Sequence, residues 1–146
     1  MQYSEMLPAY HNLPRDYKYN ENFNLFYEAY LSSSYKFSYD DAKSRCRDDG
    51  AYLATPRSYD ENKFLIHTFT DTNLWIGLDD INKEDRFVSV DGHKVSYFRW
   101  SEGEPNNAHG NEDAVHIIGD SYYGTKGKWN DEEITTLFNF VCFRRI

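Results

Sequence analysis

The chain has 146 residues, of which 40% are hydrophobic and 18% aromatic, and it carries a formal net charge of -8; this suits one globular domain built on a single core. The acidic balance excludes nucleic acid and anionic membrane as main partners, because both demand a basic footprint. The longest apolar runs, residues 64–66 (FLI) and 138–143 (FNFVCF), fall far short of the roughly 20 residues that cross a bilayer, so no membrane insertion is expected.

Residues 1–22 carry Pro8 and Pro14 among Tyr and Asn, with no period of 2 or 3.6. They read as a tail or irregular lead-in, with the domain proper over 23–146. The opening residues lack the basic start and apolar stretch of a secretory leader, which fits either a mature form or a chain not exported by that route. A first strand or hairpin is expected over 23–37. Ser38 then caps a helix with Asp40 and Asp41 in its first turn, Ala42 and Cys46 on one face, and Gly50 as its stop. A second helix follows Pro56, where Ser58 and Glu61 make a capping box and Phe64, Leu65 and Phe69 supply the buried stripe.

After residue 70 the pattern changes to strands. Residues 74–78 (LWIGL) and 86–90 (RFVSV) read as strands, the latter returning through an Asp91-Gly92 turn over Val95 to Trp100. Residues 101–128 form a polar, Gly-rich loop region interrupted by one apolar strand over 114–118 (AVHII), and 138–143 is the closing strand. Helices first and antiparallel strands afterwards make an α+β domain, and so long a loop region points to function. Cys46 and Cys142 lie near the two ends of the domain. Paired, they would close a loop of about 95 residues and contribute about 4 to 5 kcal/mol; unpaired, they would be core thiols, and their positions leave both readings open.

Oxygen-bearing side chains gather in the second half: Asp79-Asp80 with Glu84, Glu104-Pro105-Asn106-Asn107, Glu112-Asp113, and Asn130-Asp131. Hard cations such as Ca²⁺ take 6 to 8 oxygen ligands of these types in preference to His or Cys. Any one of these groups alone is what a solvated acidic loop would show. His67, His93 and His116 lack neighbours at zinc spacing and are expected on the surface or in strands. Trp75, Trp100 and Trp129 are expected in the core or as platforms rather than as sugar-stacking rings.

Together the motifs resemble the C-type lectin domain. Trp75-Ile76-Gly77-Leu78, Glu104-Pro105-Asn106, Glu112-Asp113 and Trp129-Asn130-Asp131 fall in that family's order, and the step from Glu104 to Glu112 has its spacing. Residues 53–57 (LATPR) are similar to its mannose-binding branch. The resemblance covers roughly residues 25–146. It implies a C-type lectin-like fold, with two helices flanking antiparallel sheets and a long Ca²⁺-binding loop region, and it implies an outer disulfide between Cys46 and Cys142, hence a secreted or extracellular protein.

The resemblance also implies a site. Glu104, Asn106, Glu112, Asn130 and Asp131 would hold the principal Ca²⁺, with Pro105 after a cis peptide bond and two vicinal sugar hydroxyls completing the coordination. These same residues would hydrogen-bond the sugar, Asn amides donating and carboxylates accepting. The Glu-Pro-Asn order implies equatorial 3- and 4-hydroxyls, as in mannose, glucose, N-acetylglucosamine and fucose; the swapped Gln-Pro-Asp order goes with galactose. A second Ca²⁺ site would use Asp80, Glu84, Asn107, Glu112 and Asp113, with Asn107 where the family usually has Asp. The family's inner disulfide positions fall on Ala114 and Ile134, so an apolar contact is expected to replace that link.

Three more residues are candidate sugar contacts: His109, inside the Glu104 to Glu112 loop, and Tyr122 and Tyr123, between glycines in a loop longer than in the mannose-binding proteins. The alternatives are an ordinary exposed loop histidine and rings packed back on the domain. The function expected is Ca²⁺-dependent binding of mannose-type glycans, with oligomerisation possible as the source of avidity. The alternative keeps the fold but binds a protein, ice or mineral surface, or a galactose-type sugar. Enzymatic activity is not expected, because carboxylates ligating Ca²⁺ stay ionised and leave no acid of raised pKa.

Overall fold

The computed structural model describes residues 15–69, 71–119 and 124–145. The elements in chain order are β1 (Arg15–Asn20), β2 (Leu25–Tyr30), α1 (Tyr39–Asp48), β3 (Tyr52–Leu53), α2 (Tyr59–Thr68), β4 (Leu74–Asp79), β5 (Val88–Ser89), β6 (Ala114–Ile117), β7 (Trp129–Glu132) and β8 (Asn139–Arg145). They make one sheet of order β1-β2-β8-β4-β6-β7, with β3 added on β8 and β5 on β4. The expected α+β class holds, with one difference. β4 and β8 pair in parallel, Leu74 opposite Asn139 and Trp75 opposite Phe140, while every other described ladder is antiparallel.

Both helices form for the local reasons the sequence supplies. The Ser38 side chain accepts from the Asp41 N–H, Ala42 and Cys46 face inward, and Gly50, at φ 73°, closes the turn where a left-handed residue is needed. In α2 the Ser58 side chain accepts from the Glu61 N–H, and Leu65, Ile66 and Phe69 are buried while Phe64 packs partly against the core. Asn62 is also buried, at 2% exposure. Hydropathy did not single it out.

Three elements differ from expectation. The irregular lead-in expected through residue 22 gives way at Arg15 to an edge strand paired with β2, Tyr17 opposite Glu28. Its only large apolar side chains are Tyr17, which packs on Phe26, and Tyr19, which is exposed, so a real strand shows only a faint apolar alternation. Asn20 tightens the hairpin by accepting from the N–H groups of Asn22 and Phe23. The expected hairpin of 86–90 with 95–100 is reduced to β5, which pairs with β4 instead; Val95, Tyr97 and Trp100 contribute packing rather than a ladder. Residues 129–132, read only as ligand-bearing loop, form β7, whose inward residues are Trp129 and Asp131. An aspartate on the inner face hides the period of 2 from any hydropathy pattern.

The core has two parts. One lies between α2 and the sheet, with Leu65, Ile66, Phe69, Ile76, Leu78, Val115 and Trp129. The other surrounds the Cys46–Cys142 disulfide, with Tyr30, Tyr39, Trp75, Ala114 and Phe140 buried and Ile134 packed against them. Ala114 and Ile134 both belong to this apolar part of the core. Gly77 is required by close approach: a Cβ there would lie 2.5 Å from the Leu53 carbonyl oxygen, Thr55 Oγ1 and Val90 Cγ2. Its N–H donates to the Ala54 carbonyl and its carbonyl accepts from Val90, which fixes the start of the 80–87 loop.

Candidate functional site

The polar loop after Trp100 is fastened to β7 at its root. Trp100 bridges to Trp129, and the Ser101 N–H donates to the Trp129 carbonyl at 2.9 Å. From there the chain turns through a cis Glu104-Pro105 peptide. Asn107 and His109, at φ 46° and 60°, occupy the left-handed region that asparagine and histidine tolerate better than most residues. This conformation directs successive N–H groups at carboxylates. Asp131, 1% exposed on β7, accepts from the N–H of Asn106 at 3.2 Å and of Asn107 at 2.7 Å. Glu104 accepts from the Asn106 N–H at 3.1 Å, and Glu112 accepts from the Ala108 N–H at 3.0 Å. Asn107 Oδ1 in turn accepts from the Glu112 N–H at 3.0 Å.

Three carboxyl groups thus converge on one loop, and their electrostatics record it. Burial pushes Glu104 up from the usual carboxylate value to about 7, and its contact with the Asp131 carboxyl adds to the rise. Glu112 is also raised, first by burial and then by Asp131 and Glu132, against the favourable Ala108 N–H. Asn130, the neighbour of Asp131 on β7, faces His116. Its Nδ2 lies 3.2 Å from His116 Nε2, directly across the β6–β7 ladder, which occupies one of its two amide N–H groups.

A second group forms around Asp113, the residue after Glu112. One carboxylate oxygen each from Asp80, Glu84 and Asp113 lies within 4.8 Å of the others. The Asp80 N–H donates to the Asp113 carbonyl at 3.0 Å, and the Asp85 N–H donates to Asp80 Oδ2 at 2.8 Å. Asp80 Oδ1 is buried with no hydrogen-bond partner among the described residues. Burial raises Asp80 to about 6 against the Asp85 N–H, with Glu84 adding to the rise. Asp113 is raised by burial and by Asp80. Asn107 and Glu112, expected in this second group, bond to each other and lie with the first.

Both groups are oxygen-only apart from His116 behind Asn130, and clustered carboxylates with raised pKa values and an unsatisfied buried oxygen are what a hard cation relieves. The donor set therefore fits Ca²⁺. His109 lies at the exposed tip of the loop. Tyr122 and Tyr123 lie outside the described residues. Of the histidines expected on the surface or in strands, His67 is exposed, while His93 contacts Asp91 and His116 is buried at 5% exposure. Trp75 and Trp129 are fully buried and Trp100 half-buried.

Sequence reasoning missed two supports of the site. His116 appeared only as a strand residue; the β6–β7 register, which sets it opposite Asn130, was the signal that would have paired them. Asn62 on α2 accepts from Trp129 Nε1 at 2.7 Å and donates to the Gly127 carbonyl at 2.8 Å, so a helix residue fixes the strand that carries Asn130 and Asp131. Nothing local in the sequence marks that contact.

Comparison with known proteins agrees with this fold. Residues 35–144 match the model of the lectin C-type domain. The chain is 36% identical over 115 residues to lectin BRA-3 of Megabalanus rosa, covering 77% of this chain and 68% of that one. Among solved structures, the mouse scavenger receptor C-type lectin carbohydrate-recognition domain superposes with a TM-score of 0.74 at 28% identity, covering 88% of this chain and 93% of that one. The cow C-type carbohydrate-recognition domain of CD23, solved in the presence of a GlcNAc2Man3 oligosaccharide, superposes with a TM-score of 0.77 at 27% identity, covering 91% and 95%.

Proposed function

The chain belongs to the C-type lectin domain family, a family of non-enzymatic carbohydrate-binding proteins, and from that premise we propose that it binds mannose-type glycans in a Ca²⁺-dependent manner. The observation that carries the reading is the convergence of Glu104, Glu112 and Asp131 around the Glu104-Pro105-Asn106 turn. Ca²⁺, when bound, supplies coordination positions for two vicinal hydroxyls of a pyranose. The protein's own residues orient the sugar: the carboxylates of Glu104 and Glu112 accept from its hydroxyls, and the amides of Asn106 and Asn130 donate to them. Asn106 is held for this by its Oδ1, which accepts from the Ala108 N–H at 3.1 Å. Asp131 ties the turn to β7 through two N–H groups.

Glu104, Asn106, Glu112, Asn130 and Asp131 are the principal ligand set in this reading. Asp80, Glu84 and Asp113 form a second cation site that orders the neighbouring loop. The Glu-Pro-Asn order supports mannose, glucose, N-acetylglucosamine or fucose over galactose. The fully buried Cys46–Cys142 disulfide supports a place outside the reducing cytosol, and no described helix is long and apolar enough to cross a membrane. Oligomerisation would raise the avidity of a shallow site.

The exchange Glu104→Gln with Asn106→Asp tests the sugar preference, since it swaps donor and acceptor while conserving volume. Titration with mannose and galactose should show the ratio of their affinities inverting, by about 1 to 3 kcal/mol for each polar group left unpaired with the wrong epimer. An unchanged ratio contradicts the assignment.

A further inference from the structure

Away from the carboxylate loops, two cavities of about 370 and 360 Å³ lie side by side and share one lining residue, Tyr52; volumes of this size are at the lower end of small-ligand sites. Tyr52 on β3 is 52% exposed, although its backbone is paired with Phe143 on β8. A large ring held on a strand between two cavities is placed to contact whatever enters either one.

The charge around this ring is opposite to that of the molecule. Lys43 and Arg47 line one cavity, and Arg57, Arg144 and Arg145 line the other, in a chain whose net charge is -8. Two carboxylates face the same space, Asp79 and Asp91, and both are engaged. Asp79 accepts from the Tyr39 hydroxyl at 2.6 Å. Asp91 accepts from Arg57 at 2.8 Å, and although burial raises its pKa, Arg57 and His93 outweigh that and bring it to about 2. Arg57 is thus engaged by Asp91 and Lys43 lies 3.9 Å from Asp40, while Arg47, Arg144 and Arg145 outnumber Asp79, so the surplus stays positive. α1 supplies its share by placing Arg47 in its last turn, and the C-terminal end of β8 supplies Arg144 and Arg145.

We propose that the groove running across Tyr52, between Lys43-Arg47 and Arg57-Arg144-Arg145, binds a linear anionic saccharide independently of Ca²⁺. Tyr52 stacks on the apolar face of one sugar ring, and the cations on either side take the sulfates or carboxylates at its edges through charge-assisted hydrogen bonds, Arg doing so bidentately. A run of acidic side chains offers Tyr52 no C–H face, whereas a pyranose does while carrying anionic groups at its edges, so the exposed aromatic between two cationic clusters favours the saccharide. The groove shares no residue with the Glu104 loop, so one molecule can engage a neutral sugar and an anionic chain at once.

The test is calorimetric titration of the whole chain with a heparin-derived sulfated hexasaccharide in chelator at low salt. The expected result is binding that weakens as salt rises. Arg47→Gln with Arg145→Gln removes one exposed cation from each cavity and should weaken the hexasaccharide roughly tenfold or more. Tyr52→Ala should lower affinity by a similar factor while Tyr52→Phe keeps it, and all three variants should retain Ca²⁺-dependent binding of neutral sugar, which also shows that they fold. The proposal is overturned by absence of binding at low salt, by variants that bind as well as the parent, by equal binding of the desulfated hexasaccharide, or by equal binding of a polyglutamate peptide of matched charge.

Discussion

Asn62→Ala is the substitution whose effect follows most directly from the structure. The side chain is 2% exposed and makes two bonds at opposite ends of its amide: Oδ1 accepts from Trp129 Nε1 at 2.7 Å, and Nδ2 donates to the Gly127 carbonyl at 2.8 Å. Alanine leaves a buried indole N–H and a backbone carbonyl without partners. Each orphaned group costs about 1 to 3 kcal/mol, so the loss should be about 2 to 6 kcal/mol in total. Trp129 leads into Asn130 and Asp131, so the damage should reach the cation site as a roughly tenfold loss of Ca²⁺ affinity, the scale of losing a support behind a ligand. Urea unfolding gives the first quantity, and Ca²⁺ titration followed by tryptophan fluorescence gives the second. A stability loss below about 1 kcal/mol, with Ca²⁺ affinity unchanged, would refute the claim that α2 holds β7 in place.

Two other outcomes are expected. Replacing Cys46 and Cys142 by Ala opens a loop of sequence separation 96 and should cost about 4 to 5 kcal/mol in denaturant unfolding; a loss under about 2 kcal/mol would show that the bond does not act mainly by restricting the unfolded chain. Stability without Ca²⁺ should rise as pH falls from about 7 to about 5. Glu104 and Asp80 titrate near 7 and 6 in the folded chain, above their ordinary values, so in this window the native state binds more protons than the unfolded state. With Ca²⁺ present the sign should reverse, because protons compete with the cation for the same oxygens. Thermal melts at several pH values, with and without Ca²⁺, check both slopes, and parallel slopes would contradict the link between these carboxylates and the ion.

Much of the fold was legible because it is written in local chemistry. Ser38 and Ser58 mark both helix starts, Gly50 marks a stop, and the apolar run of β8 marks the central strand. The carboxylate residues of the site were legible as motifs, since Glu104-Pro105-Asn106 and Trp129-Asn130-Asp131 each sit in contiguous sequence. What stayed hidden depends on partners far along the chain. β1 shows little apolar pattern because it is an edge strand with polar faces, and β7 is masked by the inward Asp131. The roles of His116 and Asn62 exist only once β6 pairs with β7 and α2 packs over Trp129. The basic groove at Tyr52 assembles α1, β3 and β8 from residues 43 to 145, and no window of sequence contains it.

The most direct test of the account is titration of mannose into metal-stripped protein before and after Ca²⁺ is restored. The account predicts no measurable binding in chelator, binding once Ca²⁺ is returned, and its loss again in Asp131→Asn, because that carboxylate fixes the Asn106 turn and belongs to the proposed ligand set. Mannose binding of equal strength in chelator and in Ca²⁺ would contradict it.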